Sequence, residues 1–343
     1  MSGTKTGGAA RRRIGRTVGP RAGTVLICAA AVLALASVTA VAGEPIATFS
    51  IVGCDPATGE LGVAVQSKFF AVGAVVPYAR ADVGAIASQA YGNTAFGPMG
   101  LDLLEEGLPV EEVMKALLVD DEDREQRQVG IVDANGNAYA YTGDECMDWA
   151  GHHVGENYTA QGNILVSRET VLAMARAFEE TDGVLGERLM SAIEAGQAAG
   201  GDSRGMQSAA ILIVKAGGGY GGYNDVYCDL RVDDAEDPIA ELRRIFMMWK
   251  EEALILEGYR LLEAGESEAA IAVGRRAIEQ YPDSAECYYH LACYLSRGGL
   301  KDEALEQIRE ATARDALLGP RARLDTDLEP LWRDPAFLSV TDE

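Results

Sequence analysis

The chain has 343 residues, of which 53 are acidic and 30 are basic, so its formal net charge is −23. A surface with this charge repels polyanions, so we expect neither nucleic acid nor anionic lipid as a partner. Hydrophobic residues make up 48% of the chain. That fraction supports a sizeable core, and the length suits one large domain with a smaller one.

The N-terminal 42 residues have the composition of an export signal. All their charged residues are basic. The segment ends with an apolar run that closes in Ala40-Val41-Ala42. This pattern predicts a secretory signal peptide over residues 1–42, with residues 43–47 left as a short linker or propeptide. A membrane anchor is disfavoured because the run is short and rich in alanine. We therefore expect a periplasmic or extracellular protein with no stable membrane insertion after cleavage.

The next part of the chain predicts short strands followed by two helices. TFSIVG at 48–53 and LGVAVQS at 61–67 predict strands joined by the turn DPATGE. VGAVVPYA and VGAIASQ predict two further short strands. Residues 98–106 and 109–118 have helical apolar spacing after an initial proline, which favours two helices.

The order of the remaining elements indicates the fold class. A hairpin is predicted at 128–143 around Asn135-Gly136, and the strand YTAQGNILV follows. Two helices, two strands and the helix DPIAELRRIFMMWK come next. This order lacks the regular alternation of a doubly wound sheet. It favours an α+β fold in which two stacked sheets carry helices outside each, a four-layer α/β/β/α sandwich over residues 48–250.

Residues 251–315 contain an internal repeat of 34 residues. When the two copies of the repeat are aligned, Gly258 of the first corresponds to Ala292 of the second. Such small residues allow paired helices to approach closely. The pattern resembles the tetratricopeptide repeat. Two copies, followed by a capping helix and tail over residues 316–343, predict a small all-α module. Because two copies are few for an independent solenoid, we expect the module to dock on the main domain or to recruit a protein partner.

Three polar clusters contain glycine and lie near predicted strand ends. They are SQAYGN at 88–93, QGN at 161–163 and AGGDSRGMQS at 199–208. Each one alone is explained equally well by a turn, because turns use Gly, Asn and Asp for conformational reasons. Three of them in one domain favour a binding site. They supply the candidate substrate-binding residues Gln89, Gly92, Asn93, Gln161 and Asn163.

Familiar catalytic motifs are missing from the sequence. There is no G-x-S-x-G, P-loop, Rossmann fingerprint or H-E-x-x-H. The three histidines lack the spacing of a metal site, and the five cysteines after residue 42 form no C-x-x-C pair. We expect neither a metal nor a cofactor. A catalytic base could be the α-amine of an N-terminal residue, whose pKa is ordinarily about 7.7–8.0.

Residues 48 to about 245 resemble a bacterial family known as domain of unknown function 1028. The stretches that carry the resemblance are TFSIVGCDPATGELGVAVQSKFFAVGAVVPYA, RQVGIVDANGNAYAYTG, WAGHHVGENYTAQGNIL, AGGDSRGMQSAA and DLRVDD. That family is placed in the N-terminal nucleophile (Ntn) hydrolase superfamily. The resemblance therefore implies the four-layer sandwich and hydrolysis of a small amide or peptide-like bond. It also implies that Thr48, at the start of the first strand, is the nucleophile.

A looser comparison with the proteasome-like branch of the superfamily implies supporting roles. Arg80 would lower the pKa of the Thr48 amine, and Asp202 and Ser208 would orient the nucleophile. Backbone N–H groups near Gly92 would hold the oxyanion. The branch has an aspartate where this chain has Gln66, which departs from the pattern. Each supporting residue also has an ordinary alternative, as a surface, turn or strand residue.

Two classes of function stay open from the sequence. Cleavage after Ala42 would leave five residues ahead of Thr48, and the amine mechanism then requires a second cleavage at Ala47–Thr48. The first hypothesis, an amidohydrolase with Thr48 as nucleophile, requires that cleavage. Without it, the protein is a non-catalytic ligand-binding or scaffolding protein whose helical repeats recruit a protein partner. A homo-oligomer is compatible with either class.

Overall fold

The computed structural model describes residues 48–341. The predicted signal peptide and the linker at 43–47 lie outside the described residues. Strands and helices both occur, which confirms the mixed α and β class. The strands are β1 (Thr48–Asp55), β2 (Glu60–Ser67), β3 (Pro77–Arg80), β4 (Gly84–Ala90), β5 (Arg127–Asp133), β6 (Ala138–Thr142), β7 (Gly151–Gly155), β8 (Tyr158–Asn163), β9 (Ser208–Val214) and β10 (Val226–Val232).

The helices occur in three groups along the chain, after β4, after β8 and after β10. They are α1 (Phe96–Glu105), α2 (Val110–Leu118), α3 (Glu169–Glu180), α4 (Leu185–Ala198), α5 (Pro238–Glu263), α6 (Ser267–Gln280), α7 (Ala285–Arg297), α8 (Lys301–Arg314), α9 (Leu318–Ala322) and α10 (Pro335–Thr341). Most predicted helices and strands are confirmed to within a few residues. Within residues 48–341, no helix is both long enough and apolar enough to cross a bilayer.

The strands form two antiparallel sheets. Six strands make one sheet in the order β10-β9-β2-β1-β8-β7, and four make the other in the order β3-β4-β5-β6. Side chains alternate across a strand. On β1, Phe49 and Ile51 pack against α3 and α4, whereas Val52 contributes to an apolar cluster between the sheets. Helices α1 and α2 pack on the outer face of the four-stranded sheet. Both sheets are therefore covered on both faces.

Two short edge strands differ from the expectations. The stretch predicted as one strand over VGAVVPYA begins with a turn of 3₁₀ helix at Val72–Ala74, and only Pro77–Arg80 is extended. Pro77 is tolerated there because β3 is an edge strand, which needs fewer backbone donors. The other edge strand, β7, was not predicted. Its sequence GHHVG is polar and flanked by glycine, so it lacks the apolar pattern of a buried strand.

Helix α5 runs without interruption through residue 250, where the predicted domain boundary lies. Asp237 caps its start by accepting a hydrogen bond from Ala240 N at 3.0 Å. Its first half buries Leu242 and Phe246 against the main core, and its second half packs on the helices that follow. No proline or glycine interrupts residues 239–257. One helix therefore belongs to both parts of the chain.

The C-terminal helices pack in pairs around a separate core. Helices α6, α7 and α8 bury one face each in this core, and Phe337 of α10 closes it. Gly258 shows why a small residue is needed at the repeat position. A Cβ atom there would lie 2.4 Å from the ring of Tyr294, so α5 and α7 could not approach as closely with any other residue.

Candidate functional site

Thr48 is the first residue of β1, which lies inside the six-stranded sheet. Its backbone pairs with Ser67 at the end of β2 and with Asn163 at the end of β8. The side chain is fully buried and turned toward the four-stranded sheet, because it shares the β1 face of Ser50 and Val52. Thr48 Oγ1 donates a hydrogen bond to Ser67 Oγ at 3.1 Å. The two hydroxyl groups form the centre of the candidate site.

Polar side chains continue from Thr48 into the space between the sheets. Ser50 Oγ donates to Gln89 Oε1 at 2.6 Å, and Gln161 Nε2 donates to Ser50 Oγ at 2.7 Å. Gln89 Nε2 also lies 3.4 Å from the Thr48 carbonyl oxygen. All of these side chains are buried. The predicted residues Gln89 and Gln161 are thus brought to the nucleophile candidate through one hydrogen-bonded network that joins both sheets.

Gln128 of β5 connects this network, and sequence reasoning missed it. Its Oε1 accepts from Gln89 Nε2 at 2.8 Å and from Asn163 Nδ2 at 3.0 Å. Its Nε2 donates to Gly162 O at 2.8 Å and to Thr142 Oγ1 at 3.0 Å. The signal was available in RQVGIVD, where a glutamine occupies an inward position of a strand that is otherwise apolar. Gln128 fixes both Gln89 and Asn163.

The loop over residues 199–207 packs against the end of the sheet where β1 begins. Gln207 N donates to Ser67 O at 3.1 Å, and Asp202 forms a bridge with Leu165. The loop therefore contacts the end of β2 and the residues just after β8, the two strands that flank β1. Three of its glycines have positive φ values, which other residues adopt at a cost. They are Gly200, Gly201 and Gly205.

The carboxylate of Asp202 organises this loop. It is almost completely buried, and its Oδ2 accepts from Lys68 N at 3.0 Å. Arg204 contributes a backbone N–H at 2.9 Å and guanidinium contacts at 3.1 and 3.3 Å. Buried charges of this kind are retained when they are paired and hydrogen-bonded. Asp202 thus holds Lys68, the residue that follows Ser67.

Ser208 is the first residue of β9 and pairs with Ser67 across the β2–β9 ladder. Its Oγ donates to Phe69 O at 2.5 Å and accepts from Val72 N at 3.1 Å. The hydroxyl therefore fixes the segment that leaves β2. Asp202 and Ser208 both lie next to the strand that carries Ser67. The sequence comparison implied that they orient Thr48, but neither makes a described hydrogen bond to Thr48 itself.

The structure does not bring Arg80 to Thr48. Arg80 is paired with Gly84 at one end of β4, whereas Gln89 is near the other end, about 16 Å away in an extended strand. Its guanidinium contacts Asp102 at 2.9 Å and Glu105 at 2.5 Å on α1. These contacts raise the pKa of Arg80. The antiparallel register of β3 and β4 is the reason for the separation.

Gly92 and Asn93 lie in the turn between β4 and α1. Asn93 Oδ1 accepts from Ala95 N at 3.0 Å, and its carbonyl accepts from Ser88 Oγ at 2.9 Å. Both residues are half-buried. Their described contacts shape this turn, and none of them reaches Thr48. The backbone of Gly92 passes close to Ser88 O, which a Cβ atom would approach to 3.2 Å.

The cysteines are free within residues 48–341. Burial raises the pKa of Cys54 and of Cys146 to about 11, so these thiols stay protonated at neutral pH. In the helical module, Cys293, Asp325 and Asp327 offer ligand atoms within 4.8 Å of one another. Asp325 Oδ2 accepts from Tyr289 OH at 2.8 Å, which gives this carboxylate a structural role.

The fold and site define an α+β protein with a buried threonine at the head of a central strand. A family model described as a family of unknown function, DUF1028, matches residues 48–242. The chain belongs to this family. The match begins at Thr48 and ends within the first half of α5, so the C-terminal helices lie outside it.

A solved relative of the same family has a similar fold. It is the protein SPO2555 from Silicibacter pomeroyi, whose crystal structure is 31% identical in sequence and superposes with a TM-score of 0.55. The similarity covers 60% of this chain and 90% of the other. No curated protein matches the chain. The chain therefore shares the family and the fold of this relative.

Proposed function

We propose that the protein is an exported amidohydrolase of the Ntn type and that Thr48 is its nucleophile. The observation that carries the proposal is the position of Thr48. It is a hydroxyl residue at the first position of an inner strand, and the family match begins at the same residue. Its Oγ1 is held at 3.1 Å from Ser67 Oγ in a buried polar setting. This placement supports a hydroxyl nucleophile beside an amine on the same residue.

The proposed reaction begins with cleavage of the Ala47–Thr48 peptide bond, which frees the Thr48 amine. In the reaction with a substrate, Thr48 Oγ attacks the amide carbonyl and its proton passes to the α-amine. The carbon–nitrogen bond then breaks, and the leaving amine takes that proton. An ester on Thr48 remains. A water molecule, deprotonated by the same amine, hydrolyses this ester to the carboxylic acid and restores the hydroxyl.

The surrounding residues support this chemistry in different ways. Ser67 orients the Thr48 hydroxyl through the hydrogen bond at 3.1 Å. Asp202 and Ser208 hold the end of β2 in place, and Gln89 supplies an amide donor beside the Thr48 carbonyl. Arg80 has no role in the proposed reaction, because its guanidinium group is paired with Asp102 and Glu105 of α1. The substrate is a small amide or peptide-like molecule.

Two assignments of architecture belong to the same proposal. Two stacked sheets with helices on both outer faces fit the Ntn-hydrolase sandwich. The paired helices after residue 250, with their period of 34 residues, fit tetratricopeptide-like repeats. Export follows from the composition of residues 1–42. An exported location also fits a chain that is activated by removal of its N-terminal residues.

The proposal is tested by substitution at Thr48. With a panel of chromogenic amides, Thr48→Ala should abolish turnover while the melting temperature stays close to that of the wild type. Thr48→Ser should retain measurable turnover, because a hydroxyl remains. Thr58→Ala is the matched control, since Thr58 is exposed in the turn at the other end of β1. An unchanged rate in Thr48→Ala would end the proposal.

One observation favours a second candidate, a non-catalytic protein that binds a partner. Two open grooves, of about 400 and 340 Å³, are lined by residues of the C-terminal helices. A binding role predicts that the five residues before Thr48 stay attached in the working protein. It also predicts that ligand or partner binding survives Thr48→Ala. Loss of the partner when residues 251–343 are deleted would place that binding in the helical module.

A further inference from the structure

Two edge strands of different sheets lie side by side. β7 is the last strand of the six-stranded sheet, and β6 is the last strand of the four-stranded sheet. His152 Nδ1 of β7 lies 2.8 Å from Thr142 Oγ1 of β6, so one hydrogen bond joins the two sheets at this edge. His152 is exposed, whereas Gln128 and Gln89 are fully buried. The His152–Thr142 pair therefore connects the protein surface with the buried network.

The hydrogen bonds that lead from Thr142 to Thr48 have one consistent direction. On one side Gln128 Nε2 donates to Thr142 Oγ1 at 3.0 Å, and on the other Gln128 Oε1 accepts from Gln89 Nε2 at 2.8 Å. Gln89 Nε2 also lies 3.4 Å from the Thr48 carbonyl oxygen. Reversing the Gln128 amide would place its Nε2 against the Gln89 donor. The orientation of the Gln128 amide therefore decides whether Gln89 has its acceptor.

The hydroxyl proton of Thr142 completes this chain of donors and acceptors. Because Thr142 Oγ1 accepts from Gln128, its own proton is donated elsewhere, and His152 Nδ1 is the described acceptor. This bond requires a neutral ring that carries its proton on Nε2. Partial desolvation of the ring and the neighbouring His153 lower the pKa of His152, which favours the neutral form. Without His152, the Thr142 proton could instead be donated to a reversed Gln128 amide.

We propose that His152 is a positioning residue for the reaction at Thr48. By accepting the Thr142 proton, it holds the Gln128 amide in a single orientation. In that orientation the Gln89 amide is kept as a donor beside the Thr48 carbonyl oxygen. The inference rests on the proposed function, because it assigns a role in that reaction. His152 acts only through the network and not on the substrate.

Steady-state kinetics at pH 8, with one amide that the wild type hydrolyses, test this role. His152→Ala should lower kcat roughly three- to tenfold and leave KM close to the wild-type value. His152→Asn should restore most of kcat, because the asparagine Oδ1 can replace Nδ1 as the acceptor. Thr142→Val should lower kcat at least as much, and the double variant with His152→Ala should match it, since both act through one hydrogen bond. His153→Asn, on the opposite face of β7, is the matched control and should change neither constant.

Nitrogen NMR of the histidine rings tests the direction of the network without turnover. The chain has three histidines, so selective ¹⁵N-histidine labelling gives three pairs of ring signals, and His152→Asn identifies the pair from His152. At pH 8 we expect a neutral His152 ring with no proton on Nδ1. Thr142→Val should shift the His152 Nδ1 signal to that of a ring nitrogen that accepts no hydrogen bond. The signals of His153 should stay in place.

Three results would overturn the inference. They are a His152 ring protonated on Nδ1, a kcat in His152→Ala equal to that of the wild type, and additive losses of kcat in the double variant. A wild type that hydrolyses no amide would instead end the proposed function, and with it the positioning role of His152. The shift of the Nδ1 signal in Thr142→Val would in that case still confirm the direction of the network.

Discussion

Thr48 and Ser67 face each other across β1 and β2, with their hydroxyl oxygens 3.1 Å apart in the buried space between the sheets. The relationship follows from the hairpin register, in which the first residue of β1 pairs with the last residue of β2. A tight antiparallel hairpin therefore places a hydrogen-bond acceptor beside the proposed nucleophile. The same register places Ser208 and Asn163 on the adjacent strands at the same level.

Removing the Ser67 hydroxyl should slow catalysis without preventing substrate binding. Because a hydrogen bond of this kind contributes about 1 kcal/mol, Ser67→Ala should lower kcat roughly five- to tenfold and leave KM close to the wild-type value. Steady-state kinetics with one amide substrate measure both constants. Ser203→Ala is the control, since Ser203 is exposed in the neighbouring loop. An unchanged kcat in Ser67→Ala would show that this hydroxyl does not orient Thr48.

Replacing Gln128 should destabilise the protein strongly. Gln128→Leu leaves buried donors on Gln89 and Asn163 without their acceptor, so we expect the free energy of unfolding to fall by roughly 2–4 kcal/mol. Urea denaturation measures this change. Gln126→Leu is the matched control, because the Gln126 amide contacts Glu145 at an exposed position and should change stability by less than about 0.5 kcal/mol. Equal effects of the two substitutions would argue against the network.

The stability of the protein should depend on the protonation of His290 in α7. Burial, together with the charge of Arg321, lowers the pKa of His290 to about 4, although Glu286 and Asp325 act in the opposite direction. Tyr259 OH lies 2.7 Å from His290 Nδ1, which favours the neutral ring as acceptor. In the unfolded chain the ring has an ordinary pKa of about 6.5.

The sign of this dependence follows from proton uptake. As the pH falls from about 6.5 to about 4, the unfolded chain binds a proton that the folded protein does not, so the free energy of unfolding falls by roughly 3 kcal/mol at most. His290→Gln should flatten the dependence between pH 7 and pH 5, measured by urea denaturation at intervals across that range. If the free energy of unfolding depends on pH equally in the wild type and the variant, His290 is not the source of that dependence.

Breaking helix α5 between its two halves should uncouple the two cores that it joins. Ala253→Pro removes a backbone donor and introduces a clash in the helix interior, at a cost of about 3 kcal/mol. We expect thermal unfolding of this variant, followed by calorimetry, to show two transitions. Ala253→Gly costs only about 1 kcal/mol and is the milder control. A single transition in Ala253→Pro would mean that contacts outside α5 couple the cores.

Much of the fold could be predicted from the sequence because its apolar patterns are strong. The β1–β2 hairpin, the β5–β6 hairpin and the paired helices follow from turn residues and periodicity. The edge strand β7 could not be found in this way, since GHHVG packs on one neighbour only and needs few apolar side chains. The continuity of α5 was missed because the repeat period suggested a boundary at residue 250, whereas local helix propensity is high on both sides.

The candidate site was predicted less completely than the fold. Clusters of glycine and polar residues led to Gln89 and Gln161, and the comparison with the proteasome-like branch led to Asp202. The structure brings all three to the same end of the sheets. Arg80 depended on the register between β3 and β4, which no local pattern reveals. Gln128 required knowledge of which strand faces lie between the sheets. Residues whose position depends on long-range pairing were therefore the ones that sequence reasoning misplaced or missed.

The most direct test of the central claim is the intact mass of the mature protein purified from a host that exports it. We expect a chain that begins at Thr48, because only then does the proposed nucleophile carry a free α-amine. The Thr48→Ala variant, processed in the same host, shows whether cleavage at Ala47–Thr48 depends on the hydroxyl. A fully active wild-type protein that begins at Gly43, or at any residue before Thr48, would contradict the account.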